Sequence, residues 1–383
     1  MRGIFKVAAA LFCVIILAIC VHLSARVLTA PSKAIDIGIA KMCDYATLES
    51  AEALKELSLY IHSDWWKAYA DSRLVLEKLE GSPQEVVSKI FADFKDPEFR
   101  AYLLAMQAAE YHPELVNAFY LLPPMEAEFA SLIYAIKRGM YLDADIFEFF
   151  KTTYLKDAPA RVERHFADIL LTEALKKKNV SAANVILSSM RATDPQTWQW
   201  LFVMKGANPN ALKTIPPFSR ESINTVHLLM FPGATTPFTP LQMKEKAKTV
   251  GIYYFATTRN WVTALWLTGE RDDALALLRT LYSGTGKHAR TVGLRTYALR
   301  TSVQFLGVVG KPDYAFEYIY ANAGNSELQY DIVAEFSINA ARMGNMQEAI
   351  EMMNRFNGDQ ARAKTTFHPP AFPEKWVDAN MQK

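Results

Sequence analysis

The chain has 383 residues, of which 51% are hydrophobic and 12% aromatic, so it can form a folded core and is not disordered throughout. Its 42 Lys and Arg residues nearly balance its 40 Asp and Glu residues, and the formal charge of +2 favours neither nucleic acid nor another polyanion as a partner. The three cysteines, Cys13, Cys20 and Cys43, are too few for a disulfide scaffold or a Cys-rich zinc site.

An apolar run near the N-terminus predicts a membrane address. Residues 7–23 contain no Asp, Glu, Lys or Arg and follow Arg2 and Lys6, a pattern typical of an export signal or a membrane anchor. As a helix the run would span about 26 Å, slightly less than the hydrocarbon core. We expect a retained anchor with the following domain exported, periplasmic or extracytoplasmic. Cleavage and secretion is the alternative, and lipidation at Cys20 is a third, although Ile19 departs from the lipobox.

The remainder of the chain predicts helices. Proline repeatedly follows a residue that can cap a helix, and its fixed φ and missing N–H suit the first helical position. The pairs are Ser82-Pro83, Asp96-Pro97, His112-Pro113, Asp194-Pro195, Asn208-Pro209, Thr239-Pro240 and Lys311-Pro312. Ser82 and Glu85 also have the spacing of a capping box. No two alternating runs flank an Asn-Gly or Asp-Gly turn, so the sequence indicates an all-α fold.

Three glycines in the C-terminal half share one local pattern. Each ends an apolar periodic segment and is followed five residues later by alanine: Gly269 by Ala274, Gly310 by Ala315 and Gly344 by Ala349. Glycine suits the left-handed turn between two antiparallel helices, and alanine allows those helices to approach closely. Gly310 and Gly344 are 34 residues apart, which is the tetratricopeptide period, whereas Gly269 and Gly310 are 41 apart.

Residues 249–356 therefore resemble the tetratricopeptide repeat family. The resemblance implies an α-solenoid of helix-turn-helix units whose concave inner face binds a ligand. The small residue that the family has early in its first helix is kept only as Ser337, and the closing proline is absent. Weaker matches extend upstream, at Gly139 with Ala144 and at Gly206 with Ala211. An irregular helical bundle without true repeats is the alternative.

Composition divides the chain into five segments. The proline-rich stretch after residue 213 breaks helical periodicity twice, and the C-terminal tail is rich in proline and aromatic residues. The predicted segments are a signal anchor or signal peptide (1–32), an N-terminal helical repeat region (33–213), a connector (214–245), tetratricopeptide-like repeats (246–356) and a tail (357–383). We expect the tail to cap the last helix, with binding to a partner as the alternative.

The common chemical motifs are missing from the sequence. It has no H-E-x-x-H, C-x-x-C, G-x-S-x-G or G-x-G-x-x-G, so it predicts no catalytic residues, metal or cofactor. Residues 283–288 (SGTGKH) resemble the end of a phosphate loop, but Leu281 stands where the leading glycine belongs and His288 where Ser or Thr is needed. We interpret them as a loop between repeats.

Two functions fit these patterns. The first is a membrane-tethered or exported helical-repeat scaffold that binds a protein or peptide, as in envelope assembly or secretion; this follows from the resemblance. The second is an exported all-α glycan-active enzyme of the α/α toroid type, which needs two carboxylates across an aromatic cleft. Trp65, Trp66, Trp198 and Trp200 could line such a cleft, but they also occupy positions where core packing would place them. Whether the protein is an enzyme stays open, and the first function is preferred.

The family resemblance also suggests where a partner would bind. Its first helices line the concave side, and the family spacing places eight residues there: Arg259, Thr263, Trp266, Tyr297, Arg300, Gln304, Asp331 and Arg342. Arg259 and Arg300 occupy equivalent places in consecutive units, so they are candidates for a paired guanidinium site for a carboxylate. The alternative is that both arginines pair with nearby acids of the same chain.

Overall fold

The computed structural model describes residues 33–208, 211–212, 262, 265–266, 269–282, 292–322 and 326–363. All regular elements in these ranges are helical, which confirms the all-α prediction. None of the helices in this part of the chain combines the length and apolarity that a bilayer span requires. The apolar run at residues 7–23, the connector at 214–245 and the tail from residue 364 lie outside the described residues.

The described helices form two groups along the chain. The N-terminal group comprises α1 (residues 33–43), α2 (Ala51–Ser58), α3 (Asp64–Arg73), α4 (Pro83–Asp93), α5 (Pro97–Glu110), the 3-10 helix Pro113–Leu121, α6 (Pro124–Lys137), α7 (Ala144–Tyr154), α8 (Ala160–Lys176), α9 (Val180–Ser189) and α10 (Pro195–Met204). The C-terminal group comprises α11 (Arg271–Tyr282), α12 (Val292–Val308), α13 (Pro312–Asn322), α14 (Ser326–Met343) and α15 (Met346–Ala363). The last helix thus continues beyond residue 356, where the sequence predicted the repeats to end.

Several helices begin where proline follows a capping residue, as predicted. The first residues of α4, α5, α10 and α13 are prolines, and so is that of the 3-10 helix. The capping box of α4 is formed, because the Glu85 amide donates to the Ser82 hydroxyl and the Ser82 amide donates to the Glu85 carboxylate. Asp96 and Asp194 cap α5 and α10 through their side chains. Local sequence therefore determines these helix starts.

The predicted glycine turns have the expected backbone. Gly310 has φ of +66° and Gly344 has φ of +90°, values that side-chain-bearing residues rarely adopt. The amides of Lys311 and Asn345 each donate to a carbonyl five residues earlier, at 2.9 Å, as in a Schellman motif. The same bond pattern ends α6, α8 and α10, with positive φ at Gly139, Lys178 and Gly206. The turn chemistry predicted from Gly269, Gly310 and Gly344 is confirmed at all three glycines.

In the N-terminal group, alternate helices run in the same direction. The C-terminal ends of α5, α6 and α8 meet, because Lys137 Nζ lies 3.4 Å from Glu110 and 3.2 Å from Glu173. The starts of α5 and α8 also meet, since His165 Nε2 lies 2.8 Å from Glu98 Oε1. These three helices are therefore parallel. Helix α7, which lies between α6 and α8 in sequence, runs back in the opposite direction and packs against α9.

The C-terminal group has the same arrangement with closer contacts. Arg300 contacts Asp331 and Glu335, and Gly307, further along α12, contacts residues further along α14, so the two helices are parallel. A Cβ atom added at Gly307 would lie 2.5 Å from the Phe336 carbonyl oxygen. The glycine therefore allows the backbones of α12 and α14 to touch. Helix α15 then packs along α14.

The two groups of helices share one hydrophobic core. The Arg342 guanidinium in α14 donates to the Tyr45 hydroxyl at 3.1 Å and lies 4.3 Å from the centre of the Trp198 ring in α10. A Cβ atom added at Gly38 in α1 would meet Met353 in α15 at 2.6 Å and Ala334 in α14 at 2.9 Å. Helix α1, which belongs to the N-terminal group, thus packs directly against two helices of the C-terminal group.

Candidate functional site

Four of the eight predicted partner-binding residues do not contribute to a described site. Arg259 and Thr263 lie outside the described residues. Tyr297 belongs to α12, but the description does not extend to its side chain. Trp266 packs edge-on against Phe305 at 5.9 Å between ring centres. It is partly buried against the core, so it serves packing in this structure.

Three predicted residues come together around one further acid. Arg300 Nη2 donates to Asp331 Oδ2 at 3.0 Å, and its Nη1 donates to Glu335. The Gln304 amide donates to the other Glu335 oxygen at 3.4 Å. Both terminal nitrogens of the Arg300 guanidinium are thus already bound by carboxylates of α14. For Arg300, this corresponds to the alternative in which the arginine pairs with nearby acids of its own chain. The family spacing does not predict Glu335 as a member of this cluster.

The Glu335 carboxyl is unusual among these groups. Burial raises its pKa to about 7, the positive charge of Arg300 opposes this rise, and the adjacent Asp331 carboxylate adds to it. Arg300 pairs with two acids at once, so it compensates the charge of the partly buried Glu335 only in part. The cluster is therefore sensitive to pH near neutrality.

The eighth predicted residue, Arg342, lies apart from this cluster. It is eleven residues beyond Asp331 in α14 and therefore about 16 Å further along the helix. Its contacts are Tyr45, Trp198 and, at 3.3 Å, the Asn339 side-chain oxygen. Arg342 joins the two groups of helices, so its position is explained by packing.

A second group of charged residues is buried where α1 meets α3. Arg73 Nε donates to Asp44 Oδ1 at 3.0 Å, and the Tyr69 hydroxyl donates to the same oxygen at 2.8 Å. Lys41 Nζ donates to the Tyr69 hydroxyl at 2.7 Å. Burial lowers the pKa of Lys41, although the Asp44 carboxylate opposes this shift. We call these four residues the Arg73 network.

The guanidinium of Arg73 is enclosed by aromatic rings. It lies 3.3 Å from the centre of the Tyr102 ring and 4.2 Å from that of the Tyr69 ring. Its Nη2 atom is buried and has no hydrogen-bond partner among the described residues. Cation–π contact on two sides compensates part of its lost hydration. Burial raises the pKa values of both tyrosines, so both hydroxyls stay protonated and can donate.

Two further largely buried carboxylates, Glu98 and Glu173, extend this layer into α5, α6 and α8. Burial would raise the pKa of Glu98, but the hydrogen bond and charge of His165 outweigh it and lower the pKa. Likewise burial would raise the pKa of Glu173, but Lys176 and Lys137 hold it at about 2. Each of these carboxylates is thus held as an anion by basic side chains of its own chain, and the Tyr102 hydroxyl also donates to Glu173 at 3.2 Å.

This charge balance indicates what the buried groups can do. Asp44, Glu98 and Glu173 each contact a basic side chain, and Asp168 accepts from the Thr193 amide and the Trp198 indole. Their oxygens are engaged in holding helices together, so we assign the layer to positioning α1 against α3, α5 and α8. Within the described residues, no three His, Cys, Asp or Glu side chains are grouped as a metal ion would require.

Comparisons with known proteins add no family to this geometry. No protein-family model, no curated protein and no solved structure matches the chain.

Proposed function

We propose that the protein is a membrane-tethered or exported helical-repeat scaffold that binds a protein partner. The observation that carries the proposal is the contact between α12 and α14. Arg300 meets Glu335 and Gly307 meets Ala340, residues 35 and 33 positions apart, and the turn glycines Gly310 and Gly344 are 34 apart. Residues close to one 34-residue period apart thus lie side by side, as stacked repeats require.

The N-terminal helices support the same architecture. Parallel α5, α6 and α8 form one layer, and α7 and α9 pack together in another, where Lys151 Nζ reaches the Ser189 carbonyl at 3.0 Å. Both helices of that contact approach with their C-terminal parts, so they too run in parallel. Two layers of alternating direction are what an α-solenoid would produce.

An exposed apolar surface supports partner binding. Among the described residues, eight of the twelve exposed large hydrophobic side chains lie between residues 111 and 149: Tyr111, Val116, Tyr120, Leu121, Met140, Tyr141, Ile146 and Phe149. Tyr141 is 82% exposed, which leaves most of a large ring in water. Exposed apolar side chains grouped in one stretch of the chain mark a candidate interaction site. We infer that the partner contacts this surface, termed the 111–149 surface.

The acidic residues near that surface favour a partner with basic side chains. Asp143, Asp145 and Glu148 are exposed and close in sequence to Tyr141 and Phe149. Among the described residues, Glu148 is the one of these three acids that forms an ion pair, with Lys151 at 2.9 Å. A partner that offers apolar side chains flanked by Lys or Arg would complement both features. The Arg300 cluster is the competing contact site, because the family resemblance predicts that face.

Membrane fractionation with N-terminal sequencing tests the tether. We expect the full chain to stay with membranes through residues 7–23 and to retain its N-terminus. A mature chain that begins after residue 23 and is found wholly in the soluble fraction would disprove the tether. It would leave the scaffold function to be tested by partner capture.

A further inference from the structure

We propose that the turn between α2 and α3 contacts the lipid bilayer beside the N-terminal tether. The turn, residues 59–62, exposes two large apolar side chains in succession. Leu59 is 76% exposed and Tyr60 is 58% exposed, while the next residue, Ile61, is buried and anchors the turn in the core. Leucine and tyrosine at the tip of a fixed turn suit the boundary between headgroups and acyl chains.

The turn is fixed to the start of α1. One oxygen of the buried Asp36 carboxylate accepts the His62 amide and the other accepts the Ser63 amide, both at 3.0 Å. Asp36 is in the first turn of the described part of α1. The exposed tip therefore lies at the end of α1 that is nearest in sequence to the apolar run.

The length of chain before α1 limits how far this end can be from a membrane. The apolar run ends at residue 23 and α1 is helical from residue 33, so nine residues, 24–32, separate them. The ten steps from residue 23 to residue 33 span at most about 36 Å in an extended chain and about 15 Å in a helix. A chain tethered through residues 7–23 thus holds the turn within reach of the bilayer surface. This contact depends on the membrane tether of the proposed function.

The charges around the turn indicate an apolar contact and not an electrostatic one. Exposed Lys33 and Lys55 are offset by exposed Glu56 and Asp64. Attraction to anionic lipid needs a clear excess of basic residues. We therefore expect the turn to enter zwitterionic and anionic bilayers to a similar extent.

Leu48 provides a matched control within the same region. It is 65% exposed, is also a leucine, and follows the opposite end of α1. That helix extends about 16 Å over residues 33–43, so Leu48 lies further from the tether than Leu59 does. If the lipid contact were only non-specific adsorption of exposed leucines, Leu48 and Leu59 would contact lipid equally.

Site-specific photo-cross-linking in the full chain tests the contact. Benzoylphenylalanine replaces Leu59 or Leu48 in full-length protein reconstituted into phosphatidylcholine nanodiscs, and lipid adducts are quantified by mass spectrometry after irradiation. We expect at least about fivefold more adduct at position 59, unchanged within about twofold when a third of the lipid is phosphatidylglycerol. A chain that remains in the nanodiscs but gives equal adducts at both positions would refute the lipid contact alone. A full-length chain that does not enter nanodiscs would refute the tether and the contact together.

Discussion

In the helices from residue 33 to Met204, buried charged side chains bridge elements far apart in sequence, whereas from Arg271 to Ala363 neighbouring helices meet through small residues. Arg73 contacts Asp44 across 29 positions and Tyr102 contacts Glu173 across 71. In the C-terminal group, Gly307 brings α12 against the backbone of α14. The N-terminal contacts named here are polar and specific in partner. The C-terminal contact at Gly307 is steric, and the Arg300 ion pairs lie in the same interface between α12 and α14.

This difference has consequences for stability. A buried ion pair stabilises little by itself, but removing one partner leaves an uncompensated charge in the interior. A close contact between helix backbones does not depend on charge. It is destabilised instead by any substitution that adds side-chain volume between the helices. The two groups should therefore respond to different substitutions, and four variants measure this.

Arg73→Met should have the largest effect. It removes the cation that faces Asp44 and leaves that buried carboxylate with the Tyr69 hydroxyl and Lys41. We expect a loss of about 3–5 kcal/mol in the free energy of unfolding, measured by denaturant titration. The control Arg191→Met alters a side chain that is largely exposed and 3.9 Å from Glu163, and should cost less than about 0.5 kcal/mol. Equal losses in the free energy of unfolding for the two variants would mean that the buried Arg73 network stabilises the fold no more than an exposed ion pair does.

Ala349→Leu should have the next largest effect. Ala349 is fully buried early in α15, where it follows the Gly344 turn by five residues. Three additional carbon atoms should overpack this contact and cost about 1–3 kcal/mol. Gln347→Leu, at an exposed position of the same helix, should leave the melting temperature nearly unchanged. Similar melting shifts for both variants would argue against the close contact assigned to Ala349.

Gly307→Ala tests the steric contact through the sign of its effect. Alanine normally stabilises a helix interior by up to about 1 kcal/mol relative to glycine. Here the added Cβ would lie 2.5 Å from the Phe336 carbonyl oxygen, so we expect a net loss of about 1–2 kcal/mol. A gain in melting temperature by calorimetry would show that α12 and α14 do not touch at this glycine.

Glu335→Gln should have the smallest effect, and that effect should depend on pH. Burial raises the folded pKa of Glu335 to about 7, above its unfolded value of about 4.3, so its ionisation makes the native state less stable as pH rises from about 4.3 to 7. Glutamine lacks this penalty. The two pKa values alone would give a gain of about 3 kcal/mol for the variant, relative to the natural chain, between pH 4.5 and pH 8. Because the Glu335 side chain is 23% exposed, solvent screening should reduce this gain to about 1–2 kcal/mol in urea titrations. A pH-independent difference would contradict the raised pKa.

Part of this structure could be predicted from local sequence. Prolines after capping residues begin α4, α5 and α10, and the turns at Gly310 and Gly344 have the expected φ. These features depend on neighbouring residues, which a sequence displays directly. The membership in the tetratricopeptide family and the membrane anchor stay predictions.

The Arg73 network could not be predicted in the same way. Its members come from α1, the turn after it and α3, and nothing in their spacing distinguishes them from exposed charges. Only the fold shows that Arg73 is buried against Tyr102. For the Arg300 cluster, family spacing identified Arg300, Gln304 and Asp331, but Glu335 was missed, although it is one helical turn after Asp331.

Quantitative co-purification with the full-length chain from native membranes tests the scaffold function most directly. The bait is the natural chain, the double variant Tyr141→Ser/Phe149→Ser, or Arg300→Gln, each compared at an equal amount of folded protein by mass spectrometry. We expect at least one protein to be captured at least about tenfold less by the double variant, equivalent to about 1.4 kcal/mol, at an unchanged melting temperature. Selective loss with Arg300→Gln would instead place the partner on the Arg300 cluster. Capture of the same proteins in the same amounts by all three baits would contradict partner binding at either surface.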